Sequence, residues 1–266
     1  MKFNIFNLII GGALLLIIIF TIAWFITPAP ESFRYNRTPV LIAHAGGAID
    51  GKTYTNAKEA VELAINNGYC FIELDLEITK DQHIAALHFW RQLHSRTGVK
   101  SDTIPLSAAD FETRRIQGRL HPLLADDINK LFSDTSLYLV TDIIQDYDLI
   151  NQEIAIDRNK LPVEVFSYKS YCEALQKGIK YPMLSVATPL RLLIYSPLLI
   201  TKKVKIITIP VEIIATHEKE LKFLHEYGIT IFAFTTNDKD FILKHIGKTV
   251  SGFYTDSVKP ADISLK

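Results

Sequence analysis

The sequence predicts an α/β fold, a (β/α)8 barrel preceded by one transmembrane helix. Three observations predict it. An uncharged apolar run lies near the start, strand-like runs alternate with helical segments from Pro39 onward, and polar residues stand at the ends of several of those strands. The alternation indicates parallel βα units. At 266 residues, the chain has room for one barrel of about 250 residues beside a short membrane segment.

The first element is the run Leu8 to Ile26, which contains no charged residue and is rich in Leu, Ile and Phe. A bilayer core of about 30 Å needs roughly 20 apolar helical residues. Trp24 stands near the end of the run, where an amphipathic ring favours the membrane interface, and Pro28 and Pro30 stop the helix. The run is longer than the apolar part of a secretory signal, about 7–15 residues, and no small-residue cleavage site follows it. Residues 1–27 are therefore expected to be a retained anchor and 28–38 a polar linker. The expected location is the cell membrane, single-pass, with the barrel outside the cytoplasm. Lys2 before the run and Arg34 and Arg37 after it do not decide the orientation.

Residues 39–266 carry the barrel pattern. Strands are expected at Val40–Ala43, Phe71–Thr79, Ile84–His88, Leu137–Ile143, Val163–Tyr168, Met183–Val186, Lys205–Ile214, Ile229–Thr235 and Ser251–Thr255. Helices are expected at Asn56–Asn67, with Thr55 as N-cap and Gly68 closing it, and at Leu123–Phe132, Glu218–Tyr227 and Asp238–His245. Residues 89–120 interrupt the alternation as an insertion. Leu190–Ile200 is apolar, broken by Arg191 and Pro197, and reads as a barrel helix or as a surface that docks on a bilayer.

Lys+Arg and Asp+Glu both number 29, which leaves no basic excess for a nucleic-acid partner. The two cysteines, Cys70 and Cys172, match no zinc spacing, and Cys70 is expected to be a buried free thiol.

The most informative stretch runs from Phe71 to Ile78. On a strand, Ile72, Leu74, Leu76 and Ile78 share one face, and Glu73, Asp75 and Glu77 the other. In a barrel the second face looks inward. Carboxylates about 6.6 Å apart there repel unless a cation lies between them. A solvent-exposed charged face is the alternative. Three further polar groups end separate apolar strands: His44 after Leu41-Ile42-Ala43, His88 after Ile84-Ala85-Ala86-Leu87, and Asp142 after Leu137–Thr141. Such ends converge at the top of a barrel, where active sites sit.

The order of motifs is His44-x-Gly46-Gly47, Tyr54-Thr55-Asn56-x-x-Glu59-Ala60, Gly68, Ile72-Glu73-x-Asp75, Thr79-x-Asp81 and Leu87-His88. It resembles the glycerophosphodiester phosphodiesterase family, in particular a bacterial branch with a His-Ala-Gly-Gly start. The family is related to phospholipase C-like phosphodiesterases that act on phosphatidylinositol. Ile104-Pro105-Leu106-Ser107, Pro122-Leu123, Thr235-Thr236-Asn237 and Gly252-Phe253-Tyr254-Thr255-Asp256 extend the likeness over roughly residues 40–260. The resemblance implies a barrel that hydrolyses phosphodiesters with a divalent cation, Ca²⁺ or Mg²⁺. It also implies His44 and His88 as an acid/base pair, Glu73, Asp75 and Asp142 as metal ligands, and hydrolysis through a cyclic phosphate. The expected partner is a small phosphodiester or a lipid headgroup. Three positions depart from the common pattern: Ala45 where many relatives have Arg, Phe89 where Asp is common, and Ile144 where Lys is common. Phe89 and Ile144 favour a decayed, headgroup-binding barrel as one alternative, and the apolar Leu190–Ile200 a phospholipase C on intact lipid as another.

Overall fold

The computed structural model describes Phe33 and residues 40–93, 104–134 and 136–263. The expected anchor at Leu8–Ile26 lies outside them, as does the linker apart from Phe33. Among the described residues no helix is long and apolar enough to cross a membrane.

Nine strands form one sheet: β1 (Val40–Ala43), β2 (Phe71–Ile78), β3 (Ile84–Ala86), β4 (Tyr138–Asp142), β5 (Pro162–Val165), β6 (Tyr181–Ser185), β7 (Ile206–Pro210), β8 (Thr230–Phe234) and β9 (Gly252–Thr255). All but β3 run parallel in the order β1-β9-β8-β7-β6-β5-β4-β2, and β1 pairs with β2 to close the ring. Closure needs a close approach at the seam. A Cβ on Gly252 would overlap the carbonyl of Val40 on the neighbouring strand.

Among the described residues eight α-helices accompany the ring: α1 (Lys58–Asn66), α2 (Ala108–Glu112), α3 (Ala125–Leu131), α4 (Tyr147–Glu153), α5 (Tyr168–Gln176), α6 (Pro189–Ile200), α7 (Val211–Glu226) and α8 (Lys239–His245). The main core lies between strands and helices and takes in Ile72, Leu74 and Leu76 from one face of β2. A second cluster fills the barrel interior at its lower end. There Phe33 makes edge contacts with Phe71, Tyr138, Tyr181 and Phe232.

Four expectations change. The β-branched run expected as a strand to Ile214 stops at Pro210, whose ring fixes φ at −67° and which has no N–H for the ladder. Val211 then opens α7, which buries Ile213 and Ile214. The strand expected to reach Tyr168 ends at Val165, because the Ser167 side chain caps α5 by accepting from the Ser170 amide. Thr55 does not cap α1; Ala57 holds that position, and Thr55 is buried. Cys70 forms no disulfide and is only half-buried, against the lower interior cluster. The helices α4 and α5 lie where the alternation gave no element. Each has a side-chain cap, Asp146 and Ser167, as its local signal. Leu190–Ile200 forms a barrel helix. α6 buries Leu192, Leu198 and Leu199 and leaves Leu190, Leu193, Ile194 and Ile200 at least half exposed.

Candidate active site

The upper end of β2 outruns its parallel partners. Phe71 to Asp75 pair with β4, and Leu76 to Ile78 pair instead with the antiparallel β3. That hairpin explains His88. The residue does not end a barrel strand, as the sequence suggested. The chain rises past the barrel rim on β2, turns and descends on β3, which delivers His88 back to the mouth. Glu77 faces Ala85 in this hairpin and takes no part in the carboxylate cluster below.

The register places Asp75 directly beside Asp142 and Glu73 beside Val140, so the neighbouring strands β2 and β4 bring three carboxylates together. One oxygen from each of Glu73, Asp75 and Asp142 lies within 4.8 Å of the others. Each carboxylate is tethered by one hydrogen bond. The Ala45 amide donates to Glu73 Oε2 at 2.7 Å, Asn56 Nδ2 donates to Asp75 Oδ2 at 2.8 Å, and the Ile143 amide donates to Asp142 Oδ1 at 2.6 Å. Asn56 Oδ1 also accepts from the Asp75 amide at 3.0 Å, locking the loop before α1 against β2. Ala45, Asn56 and Ile143 all have left-handed backbones, with φ of 47°, 50° and 69°. Such conformations cost about 1–3 kcal/mol each for non-glycine residues and cluster where function fixes the backbone.

Like charge and burial set the electrostatics. Burial first, then the charges of Asp75 and Asp142, push Glu73 well above the usual carboxylate range. Burial and then Asp75 raise Asp142 to about 6. Glu164 on β5, buried beneath them and next to Asp142, is raised to about 8; Thr208 Oγ1 donates to it at 2.5 Å. Glu73 Oε1 is buried with no hydrogen-bond partner. An orphaned carboxylate oxygen amid like charges is what a hard cation would satisfy.

His44 and His88 line the same cavity of about 340 Å³, and the Tyr54 ring stands edge-on to both, at 4.3 Å and 5.8 Å between centroids. His44 Nδ1 lies 2.9 Å from Asp256 Oδ1. Burial works to raise Asp256, but hydrogen bonds from His44 and Asn237 prevail and hold it below its ordinary value. An ionised carboxylate only accepts, so neutral His44 carries its proton on Nδ1 and has the lone pair on Nε2. The sequence reading missed Asp256, although it ends β9 as His44 follows β1, and those strands are neighbours.

Two of the three positions that depart from the common pattern carry buried side chains. Ala45 is fully buried and serves the site through its amide. Ile144 is not on the inner face with Asp142; the left-handed turn at Ile143 swings it into the outer core. The structure thus brings all five predicted residues, His44, His88, Glu73, Asp75 and Asp142, to one cavity.

The architecture matches solved structures over most of their length. The fold is that of the glycerophosphodiester phosphodiesterases. A glycerophosphodiester phosphodiesterase from Thermotoga maritima is 18% identical, with a TM-score of 0.65 over 84% of this chain and 96% of that one. A glycerophosphoryl diester phosphodiesterase from Parabacteroides distasonis is 16% identical, with a TM-score of 0.66 over 86% and 87%. A phosphodiesterase from Oleispira antarctica, solved with the product sn-glycerol-3-phosphate, is 15% identical, with a TM-score of 0.64 over 82% and 93%. No family model and no curated protein matches the sequence.

A larger hollow of about 720 Å³ lies on the outer surface between α6 and α7. It is lined mainly by apolar groups such as Leu193, Ile200 and Phe223, and among the described residues it holds no carboxylate cluster.

Proposed function

We propose that this chain is a metal-dependent phosphodiesterase acting on glycerophosphodiesters or phospholipid headgroups. The observation that carries the reading is the convergence of Glu73, Asp75 and Asp142 within 4.8 Å in a cavity shared with His44 and His88. Oxygen-only donors suit Mg²⁺ or Ca²⁺, and the orphaned Glu73 Oε1 fits that assignment. Bound there, the cation would neutralise phosphoryl oxygens and lower the pKa of a coordinated nucleophile. His44, held by Asp256, accepts the proton of the attacking hydroxyl at Nε2. His88 returns a proton to the leaving oxygen. Asn56, Ala45 and Ile143 keep the carboxylates in place through their hydrogen bonds.

The exposed apolar side of α6, with Leu193 71% and Leu190 65% exposed, favours a second substrate source, intact lipid at a bilayer. The Leu8–Ile26 segment, as a membrane anchor, would hold the barrel at such a surface. Steady-state hydrolysis of glycerophosphodiesters and of phospholipid vesicles, with and without divalent cation, tests the reading. Cation-dependent release of a phosphomonoester is the expected result. Absence of turnover on both substrate classes in excess Mg²⁺ and Ca²⁺ would overturn it.

A further inference from the structure

We propose that Arg191 is the phosphate-binding cation of this site, contacting a non-bridging oxygen of the substrate's phosphate from the wall opposite His44. The inference rests on the phosphodiesterase reading and adds a residue to it. Three carboxylates around one divalent cation leave residual negative charge, and a phosphodiester brings one more. A site of this kind needs a positive group on the phosphate. At the two positions where the resemblance places one, this chain has Ala45 and Ile144. Both side chains are buried and apolar, so neither supplies that charge.

Arg191 is the one lysine or arginine among the described residues lining the cavity. It stands on α6 just after β6, which lies four strands from β1 in the eight-membered ring and so faces His44 across the mouth. Its amide donates to Thr188 Oγ1, the N-cap of α6, at 3.2 Å, which fixes the start of the helix. Its Nη1 donates to the Phe166 carbonyl at 3.3 Å, using one of the five guanidinium donors. Among the described residues it forms no ion pair with a carboxylate. The guanidinium is thus held by the Phe166 carbonyl just after β5, and the start of α6 by the Thr188 side chain, without being neutralised. Its neighbours Leu190 and Leu193 face outward, so the helix presents a cation to the cavity and an apolar edge to solvent.

The test compares the full chain with Arg191→Gln and Arg191→Lys in excess Mg²⁺ or Ca²⁺. Calorimetric titration with sn-glycerol-3-phosphate is run beside steady-state hydrolysis of a glycerophosphodiester and thermal unfolding. Glutamine can still donate to the Phe166 carbonyl but carries no charge. It should weaken binding about tenfold to a hundredfold, the value of one charge-assisted contact, and leave the melting temperature unchanged. Lysine keeps the charge without the fork and should recover part of the affinity. Equal binding by parent and Arg191→Gln overturns the inference, and parent turnover would then leave the phosphodiesterase reading standing. A parent that binds the ester but does not hydrolyse, with binding lost in Arg191→Gln, overturns that reading and supports the inference. A fall in melting temperature without rescue by lysine marks Arg191 as a loop tether and overturns it. A parent that neither binds nor hydrolyses overturns both.

Discussion

The two ends of the barrel are built from the same strands and obey opposite rules. At the lower end β2, β4, β6 and β8 contribute Phe71, Tyr138, Tyr181 and Phe232, which close around Phe33; Phe71 and Tyr138 stack at 4.2 Å. A few residues higher the same β2 and β4 contribute Glu73, Asp75 and Asp142, three carboxylates within 4.8 Å of one another, with Glu73 Oε1 buried and without a partner. The floor is complete in itself. The mouth, under the proposed function, would be completed by a bound cation. On that reading stability is concentrated at the floor.

The sharpest way to separate the two ends is to remove a histidine at the mouth. His44→Ala should slow hydrolysis by about 10²–10⁴-fold with little change in the melting temperature. The double variant with His88→Ala should be little worse than either single one, because members of one unit are not additive. Steady-state kinetics with excess divalent cation checks this. Additive losses would show that the histidines act separately.

The floor should respond in the reverse sense. Phe232 is 1% exposed, and Phe232→Ala should cost about 3–5 kcal/mol of stability by denaturant unfolding. Its activity should be near normal while the protein remains folded. A loss below about 1 kcal/mol would mean that the floor does not carry the barrel.

Across the range where carboxylates titrate, metal and pH should act on the mouth and not on the floor. Asp142 is raised to about 6 and Glu73 above its usual value, so the metal-free fold holds protons that the unfolded chain releases. The Asp142 contribution is present below the unfolded carboxylate pKa and lost as pH rises from about 4 through about 6, and Glu73 acts in the same direction. Metal needs the deprotonated carboxylates, so the stabilisation by Mg²⁺ or Ca²⁺ should widen over that same interval. At a hundredfold excess over Kd it should reach about 2.7 kcal/mol. Without metal at neutral pH, Asp142→Asn should stabilise the protein by roughly 1–3 kcal/mol, since it removes a crowded charge. With metal it should lose that advantage. Melting curves with chelator and with added cation decide both points, and an Asp142→Asn protein that responds to metal as the parent does would remove Asp142 from the ligand set.

The smallest effect belongs to the support of His44. Asp256→Asn keeps the shape but not the charge, and should reduce kcat less than His44→Ala does while leaving KM nearly unchanged. A loss equal to that of His44→Ala would make the pair inseparable.

Much of the mouth was legible because it is written in local periodicity. Alternation on β2 put Glu73 and Asp75 on one face opposite Leu74, and apolar runs ending in His44 and Asp142 marked strand tops. Asp256, Glu164 and Arg191 were not legible. Each has a partner far away in sequence: Asp256 meets His44 across the closing seam, Glu164 meets Thr208 and Asp142 inside the ring, and Arg191 donates to the Phe166 carbonyl.

By itself the sequence determined the βα alternation, the inward carboxylate face of β2 and the five residues proposed for catalysis and metal binding, because strand and helix periods are local properties of the chain. Only the tertiary structure decided that His88 returns on an antiparallel strand, that Ile144 turns outward at the left-handed Ile143, and that Arg191 lines the mouth. Ring closure sets these positions by joining β1 to both β2 and β9, and no local pattern records which distant strands will be neighbours.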